Sequence, residues 1–133
     1  MPEFGQSLEA VRLRRIYQEL AAYRWSIEVG GITYEGVPHA TDDRSKTLIN
    51  GRVAAMENGS LPAPVEWKAA DGSTVTFQTA AEFNAFANAV ARHVAQCFQA
   101  ETFVAQELQF AADPRSVDLE GRFDSRFTIL KAQ

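Results

Sequence analysis

The chain has 133 residues, 46% hydrophobic and 23% charged, with a formal net charge of −4. That length is one domain's worth, able to bury roughly two thirds of its unfolded surface, and the composition excludes disorder of the whole chain. The acidic balance argues against a nucleic-acid module driven by bulk charge, no apolar run is long enough for a membrane helix, and a single cysteine, Cys97, leaves no intramolecular disulfide or cysteine-rich zinc site.

The first residues lack the basic-then-apolar layout of a secretory leader, so the expected place of synthesis and retention is a cytoplasm. Met1-Pro2-Glu3-Phe4-Gly5 reads as a flexible start, native or vector-derived. A first helix is expected from Ser7 to about Tyr23, capped by Ser7, with Leu13, Ile16, Tyr17 and Leu20 on one face. Arg12, Arg14, Arg15 and Arg24 form the chain's basic cluster, and the acidic total favours a solvated helix face over a phosphate site.

Two alternating runs follow, Trp25 to Val29 and Ile32 to Glu35, joined by Gly30-Gly31. This is a hairpin signature, because glycine accepts the positive φ that tight hairpin turns demand. A second helix is expected from about Thr41 to Glu57, capped by Thr41 or Asp42, with Leu48, Ile49, Val53 and Met56 buried and Asn58-Gly59 as its stop. After Pro62-Ala63-Pro64, a second hairpin pairs Val65 to Lys68 with Thr74 to Phe77 around Asp71-Gly72. Trp25 and Trp67 should anchor the two hairpins in the core.

The long helix, from about Thr79 to Gln109, organises the rest. Its apolar positions Phe83, Phe86, Ala87, Val90, Val94, Cys97, Phe98, Val104 and Leu108 recur every three or four residues, which defines one buried face. Thr79 and Glu82 form a capping box at its start, and Asp113-Pro114 marks its stop. Phe103 and Phe110 lie off the main stripe and call for a second covering element. The tail from Arg115 to Gln133, with Val117, Leu119, Phe123, Phe127, Ile129 and Leu130, reads as an extended arm or as a strand near Arg126 to Leu130.

Taken in order, Gly31-Ile32-Thr33-Tyr34, Thr41-Asp42-Asp43-Arg44-Ser45, and Trp67-Lys68-Ala69-Ala70-Asp71-Gly72 carry a resemblance to a family of domains of unknown function found in bacteriophage and prophage tail-fibre and tail-assembly proteins. It continues through Val75, Phe77 and Thr79-Ala80-Ala81-Glu82-Phe83 to the helix ending at Ala91-Arg92-His93-Val94-Ala95-Gln96-Cys97-Phe98, and covers roughly residues 8 to 109. The family pattern has asparagine where Gly72 stands and a shorter join before the tryptophan, both departures falling in turns. What the resemblance implies is a virion-associated or tail-assembly role, with no catalytic residue to carry over.

Chemistry is weighed against packing at three places. His93, Cys97 and Glu101 are spaced like helix-borne ligands with His39 as the one further candidate, but flanking Val90 and Val94 make that side core-facing, so packing is expected there and no metal. No nucleophile elbow surrounds Ser45, and adjacent Asp42 and Asp43 point about a hundred degrees apart on a helix, so neither makes a catalytic pair. Gly30-Gly31 lacks the following helix that a phosphate loop needs.

The expectation is an α+β fold: a single domain over residues 1–112, with a long C-terminal helix, two shorter helices and two β-hairpins, and an arm or strand over 113–133. Its function is expected to be a non-enzymatic tail or tail-fibre component, without cofactor, metal, nucleic acid or membrane. It would act through contacts with phage tail or fibre proteins at Phe103, Phe110, Phe123 and Phe127, or through a homo-oligomer. An assembly chaperone and an inhibitor of a host factor are the alternatives. The corresponding places are the host cytoplasm during assembly and the virion.

Overall fold

A computed structural model describes residues 7–133, so Met1 to Gly5 lie outside the described residues. The element order is α1 (Leu8–Glu28), β1 (Ile32–Tyr34), β2 (Val37–His39), α2 (Asp43–Glu57), β3 (Val65–Lys68), β4 (Thr74–Phe77), α3 (Ala80–Phe110), a 3-10 turn (Pro114–Ser116) and α4 (Leu119–Lys131). β1 pairs with β2 and β3 with β4, each as a separate antiparallel two-stranded sheet. The fold class is therefore α+β, as the sequence indicates. No helix among the described residues is long and apolar enough to cross a membrane. The chain divides into two compact units, one of residues up to Ser26 together with Gln96–Gln133 and the other of Ile27–Ala95, the boundaries falling inside α1 and α3.

Unit two holds both hairpins, α2 and the first half of α3. Its core is Ile49, Val65, Phe77, Phe83, Phe86 and Val90, with Ile32, Tyr34, Val53, Met56, Trp67, Val75 and Ala87 packed against it. Aromatic rings dominate: Phe77 stacks on Phe86 with centroids 5.2 Å apart, and Trp67 meets Phe83 edge-on at 5.6 Å. Such pairs contribute about 0.5–1.5 kcal/mol each beyond their burial. Of the expected α2 stripe, Ile49 is fully buried and Val53 and Met56 partly so, whereas Leu48 is exposed.

The capping signals work as the sequence suggests, with one shift. Thr79 Oγ1 accepts the Glu82 N–H at 3.1 Å, but the Glu82 carboxylate reaches one residue further back, accepting the Gln78 N–H at 2.7 Å. Two backbone donors at the start of α3 are satisfied either way. Asp42, and not Thr41, caps α2, accepting the Ser45 N–H at 3.3 Å.

The first hairpin sits one element later than expected. Trp25 to Glu28 continue α1, because the face Ile16, Leu20, Tyr23 and Ile27 keeps helical spacing straight through the apparently alternating run. Gly31, at φ +93°, lies in the link that leaves α1, and a Cβ there would stand 2.9 Å from the His39 carbonyl oxygen. The hairpin turn is Glu35-Gly36, closing a Tyr34↔Val37 pair with φ of +51° and +80° at the two central residues. Positive φ at both positions is the type I′ signature.

Unit one is built from α1, the second half of α3 and α4. Its buried apolar residues include Leu20, Cys97, Ala100, Val104, Leu108, Phe123, Phe127 and Leu130. The tail is thus a helix, correcting the arm or strand expected over 113–133. Leu119, Phe123, Phe127 and Leu130 are spaced four, four and three apart, which gathers them on one helical face, and Asp118 caps the helix by accepting the Gly121 N–H. Phe123 meets Tyr23 edge-on at 5.4 Å and lies 5.8 Å from Phe127.

Candidate functional site

In unit two, the chemistry-bearing side chains gather where α1 ends. The last carbonyls of a helix lack intrahelical partners and must find donors elsewhere. His93 Nε2 lies 3.1 Å from the carbonyl oxygens of both Ile27 and Glu28. Since carbonyls only accept, Nε2 is the donor in both contacts. Thr41, fully buried, donates its hydroxyl to the Glu28 carbonyl at 2.7 Å and accepts the Gly31 N–H at 2.9 Å. The Glu28 carboxylate pairs with Lys46, which also lies 3.3 Å from Asp43. Burial works against the Lys46 ammonium, but its bonds to Glu28 and Asp43 outweigh it and hold the pKa above the ordinary lysine value.

Each polar group in this cluster closes off the end of α1, ties it to α2, or does both. Among the described residues no three His, Cys, Asp or Glu side chains are arranged to hold a metal ion. The residues weighed as ligands go to separate tasks: His93 caps α1, Cys97 is buried in unit one, and Glu101 accepts from Arg24 Nε at 2.9 Å. His39 is buried between Tyr34 and Phe86, its ring 4.6 Å from that of Phe86, and Nδ1 has no hydrogen-bond partner among the described residues. Its desolvated ring resists protonation, which lowers its pKa, while the charge of Asp71 works weakly the other way. The groove beside Lys46, about 260 Å³, is floored by Ile49, Ala87, Val90 and Val94 and offers Asn50 and Lys46 as polar groups.

The chain matches, over residues 12–121, the family model described as Domain of unknown function (DUF4376). The chain belongs to this family. None of the curated proteins and none of the solved structures compared with it matches the chain. The DUF4376 match runs past α3 and into the start of α4, so the family's sequence pattern reaches the helix that the tail forms.

In unit one of this DUF4376 protein, the four phenylalanines expected at a partner surface divide into two kinds. Phe123 and Phe127 are buried, which corrects the expectation for these two: they spend their apolar surface inside unit one, because they share the inward face of α4. Phe110 is 82% exposed at the end of α3. Phe103 is half-buried under Arg126, whose guanidinium carbon lies 4.5 Å from the ring centroid. Ile129, on the same edge of α4 as Arg122 and Arg126 by helical spacing, is 50% exposed. Arg122 Nε donates to Glu107 at 3.0 Å, and its Nη2 reaches the second oxygen of the same carboxylate.

Two further surface features escaped the sequence reading. Trp25, expected in the core, is 52% exposed, because the helix that contains it turns the indole outward. Phe98, expected on the buried stripe, is exposed with the Arg24 guanidinium 4.3 Å over its ring. Such stacking gains about 0.5–1 kcal/mol at exposed sites.

Proposed function

We propose that this chain is a non-enzymatic bacteriophage or prophage tail-associated protein, a structural tail or tail-fibre component acting through protein–protein contacts. The resemblance of its ordered motifs over residues 8 to 109 to tail-fibre and tail-assembly domains supports the phage role. The contact surface rests on one observation, the outward-facing aromatic edge of Phe110 and Phe103 beside Arg126 in unit one. A large side chain left in water on a rigid helix costs free energy that a partner recovers on docking.

Mass spectrometry of particles purified from the phage that encodes the chain tests the role. Recovery at stoichiometric abundance is expected for a tail component. Absence from the particle, with the protein abundant in the infected cytoplasm, would replace this reading with that of an assembly chaperone or an inhibitor of a host factor. Binding of a tail or fibre protein should weaken at least tenfold when Phe103 and Phe110 are both made serine, with helix content unchanged. Unaltered binding would remove this surface from the reading.

A further inference from the structure

The two edges of α4 carry opposite charge. On the side toward α3 stand Arg122 and Arg126, four residues apart, reaching Glu107 and Phe103. On the side toward α1 stand Glu120 and Asp124, also four apart, and Asp124 Oδ1 accepts the Tyr23 hydroxyl at 2.7 Å. Asp118, Glu120 and Asp124 all act on that hydroxyl: burial first, then Asp124, then the other two carboxylates push the Tyr23 pKa up to about 12. All three carboxylates are exposed, as is Arg122. On the basic edge, Phe110 and Ile129 add exposed apolar surface.

We propose that the basic, aromatic edge of α4 and its neighbour α3 receives the acidic edge of α4 from a second copy of this chain. The starting point is the Phe103 and Phe110 surface of the proposed function; what is added is its occupant. The argument for a second copy is a match of both charge and spacing. Residues four apart on a helix stand about 6 Å apart along its axis, so Glu120 and Asp124 of one copy can face Arg126 and Arg122 of another when two α4 helices lie side by side. Arg122 holds Glu107 through Nε and Nη2, so it is the remaining N–H groups of its guanidinium that meet a carboxylate of the second copy. Because the two edges are different surfaces of one molecule, the contact is head-to-tail, and it closes into a ring or runs on as a filament. Electrostatic pairing of this kind weakens as salt screens it.

The test is solution mass by light scattering over a concentration series at low and high salt. The wild-type chain should associate as concentration rises and dissociate toward the monomer at high salt. One variant reverses the basic edge (Arg122→Glu, Arg126→Glu) and another reverses the acidic edge (Glu120→Arg, Asp124→Arg). Each should be monomeric by itself, and an equimolar mixture of the two should associate again, since each then supplies the edge that the other lacks. Phe110→Asp, which breaks no internal bond, should weaken wild-type association at least tenfold. Far-UV circular dichroism checks that each variant keeps its helices, and if a reversed pair does not fold, Phe110→Asp decides. A wild-type chain that stays monomeric at low salt overturns the proposal, as does a folded mixture that stays monomeric or a Phe110→Asp chain that associates like wild type. A monomeric wild type whose tail-protein binding still depends on Phe103 and Phe110 would overturn the self-contact while leaving the proposed function standing.

Discussion

Truncating Phe123 and truncating Phe110 should give opposite results, although the sequence offers both as candidates for one partner surface. Phe123 has no exposed surface, packs edge-on against Tyr23 at 5.4 Å and lies beside Phe127 at 5.8 Å. Replacing it with alanine removes a whole ring from a close-packed interior and leaves a cavity, a change that costs about 3–5 kcal/mol. The lost edge-on partner of Tyr23 places the value toward the upper end, since such pairs add about 0.5–1.5 kcal/mol. Against a total stability of about 5–15 kcal/mol this is a large fraction, and the melting temperature should fall by roughly 10–20 °C. Phe110, 82% exposed, has little burial to lose, and Phe110→Ala should change stability by no more than about 0.5 kcal/mol. Urea denaturation followed by circular dichroism measures both. Equal destabilisation by the two substitutions would refute the division of the phenylalanines into core and surface. So would a Phe123→Ala variant as stable as wild type.

Three further outcomes follow from the polar interior and the turns. Thr41→Val keeps the shape of the buried side chain but strips the Gly31 N–H of its acceptor and leaves the Glu28 carbonyl with His93 alone, so urea unfolding should show a loss of roughly 1–3 kcal/mol; a neutral result would mean the Gly31 N–H is satisfied elsewhere. His39 binds its proton more weakly folded than unfolded, so its contribution to stability is fully present above the unfolded pKa of about 6.5 and is lost as pH falls below that toward the lowered folded value. His39→Leu should flatten that acid-side decline in a series of denaturation curves from neutral pH downward, and an unchanged slope would assign the decline to other groups. Glu35 holds φ +51° in the first central position of a type I′ turn, where asparagine is favoured, so Glu35→Asn should raise stability by about 0.5–1 kcal/mol in the same assay, and a destabilised variant would count against the turn assignment.

What was legible in the sequence was whatever local chemistry decides. The capping residues Asp42 and Thr79, the second hairpin around Asp71-Gly72 and the three-four spacing of α3 each carry their own signal within a few residues, and the structure follows them. The first hairpin was misplaced because Gly30-Gly31 is the stronger glycine signal, yet the turn that closes β1 on β2 uses a glutamate at positive φ. A non-glycine residue reaches that conformation against its own preference, so no composition rule points to it. The polar cluster at the end of α1 was not legible either. Its hydrogen bonds join residues from 10 to 66 positions apart, and His93 looks like a ligand until the two carbonyls it serves are in place.

The tail shows how much of a functional reading hangs on one secondary-structure assignment. Read as a strand, Glu120, Arg122, Asp124 and Arg126 all fall on the same face, since side chains there repeat every two residues, and their charges interleave and cancel. Read as the helix that forms, Glu120 and Asp124 turn to one edge and Arg122 and Arg126 to the other, and the same four residues become two separated patches of opposite sign. The apolar residues sort by the same rotation: Phe123, Phe127 and Leu130 go inward, while Ile129 turns out beside the arginines. Charge complementarity between copies is therefore a property of the helical period itself. Ser125→Pro, which would interrupt the helix between Arg122 and Arg126, should abolish salt-dependent association together with the fold of α4, whereas Ser125→Ala should leave both intact.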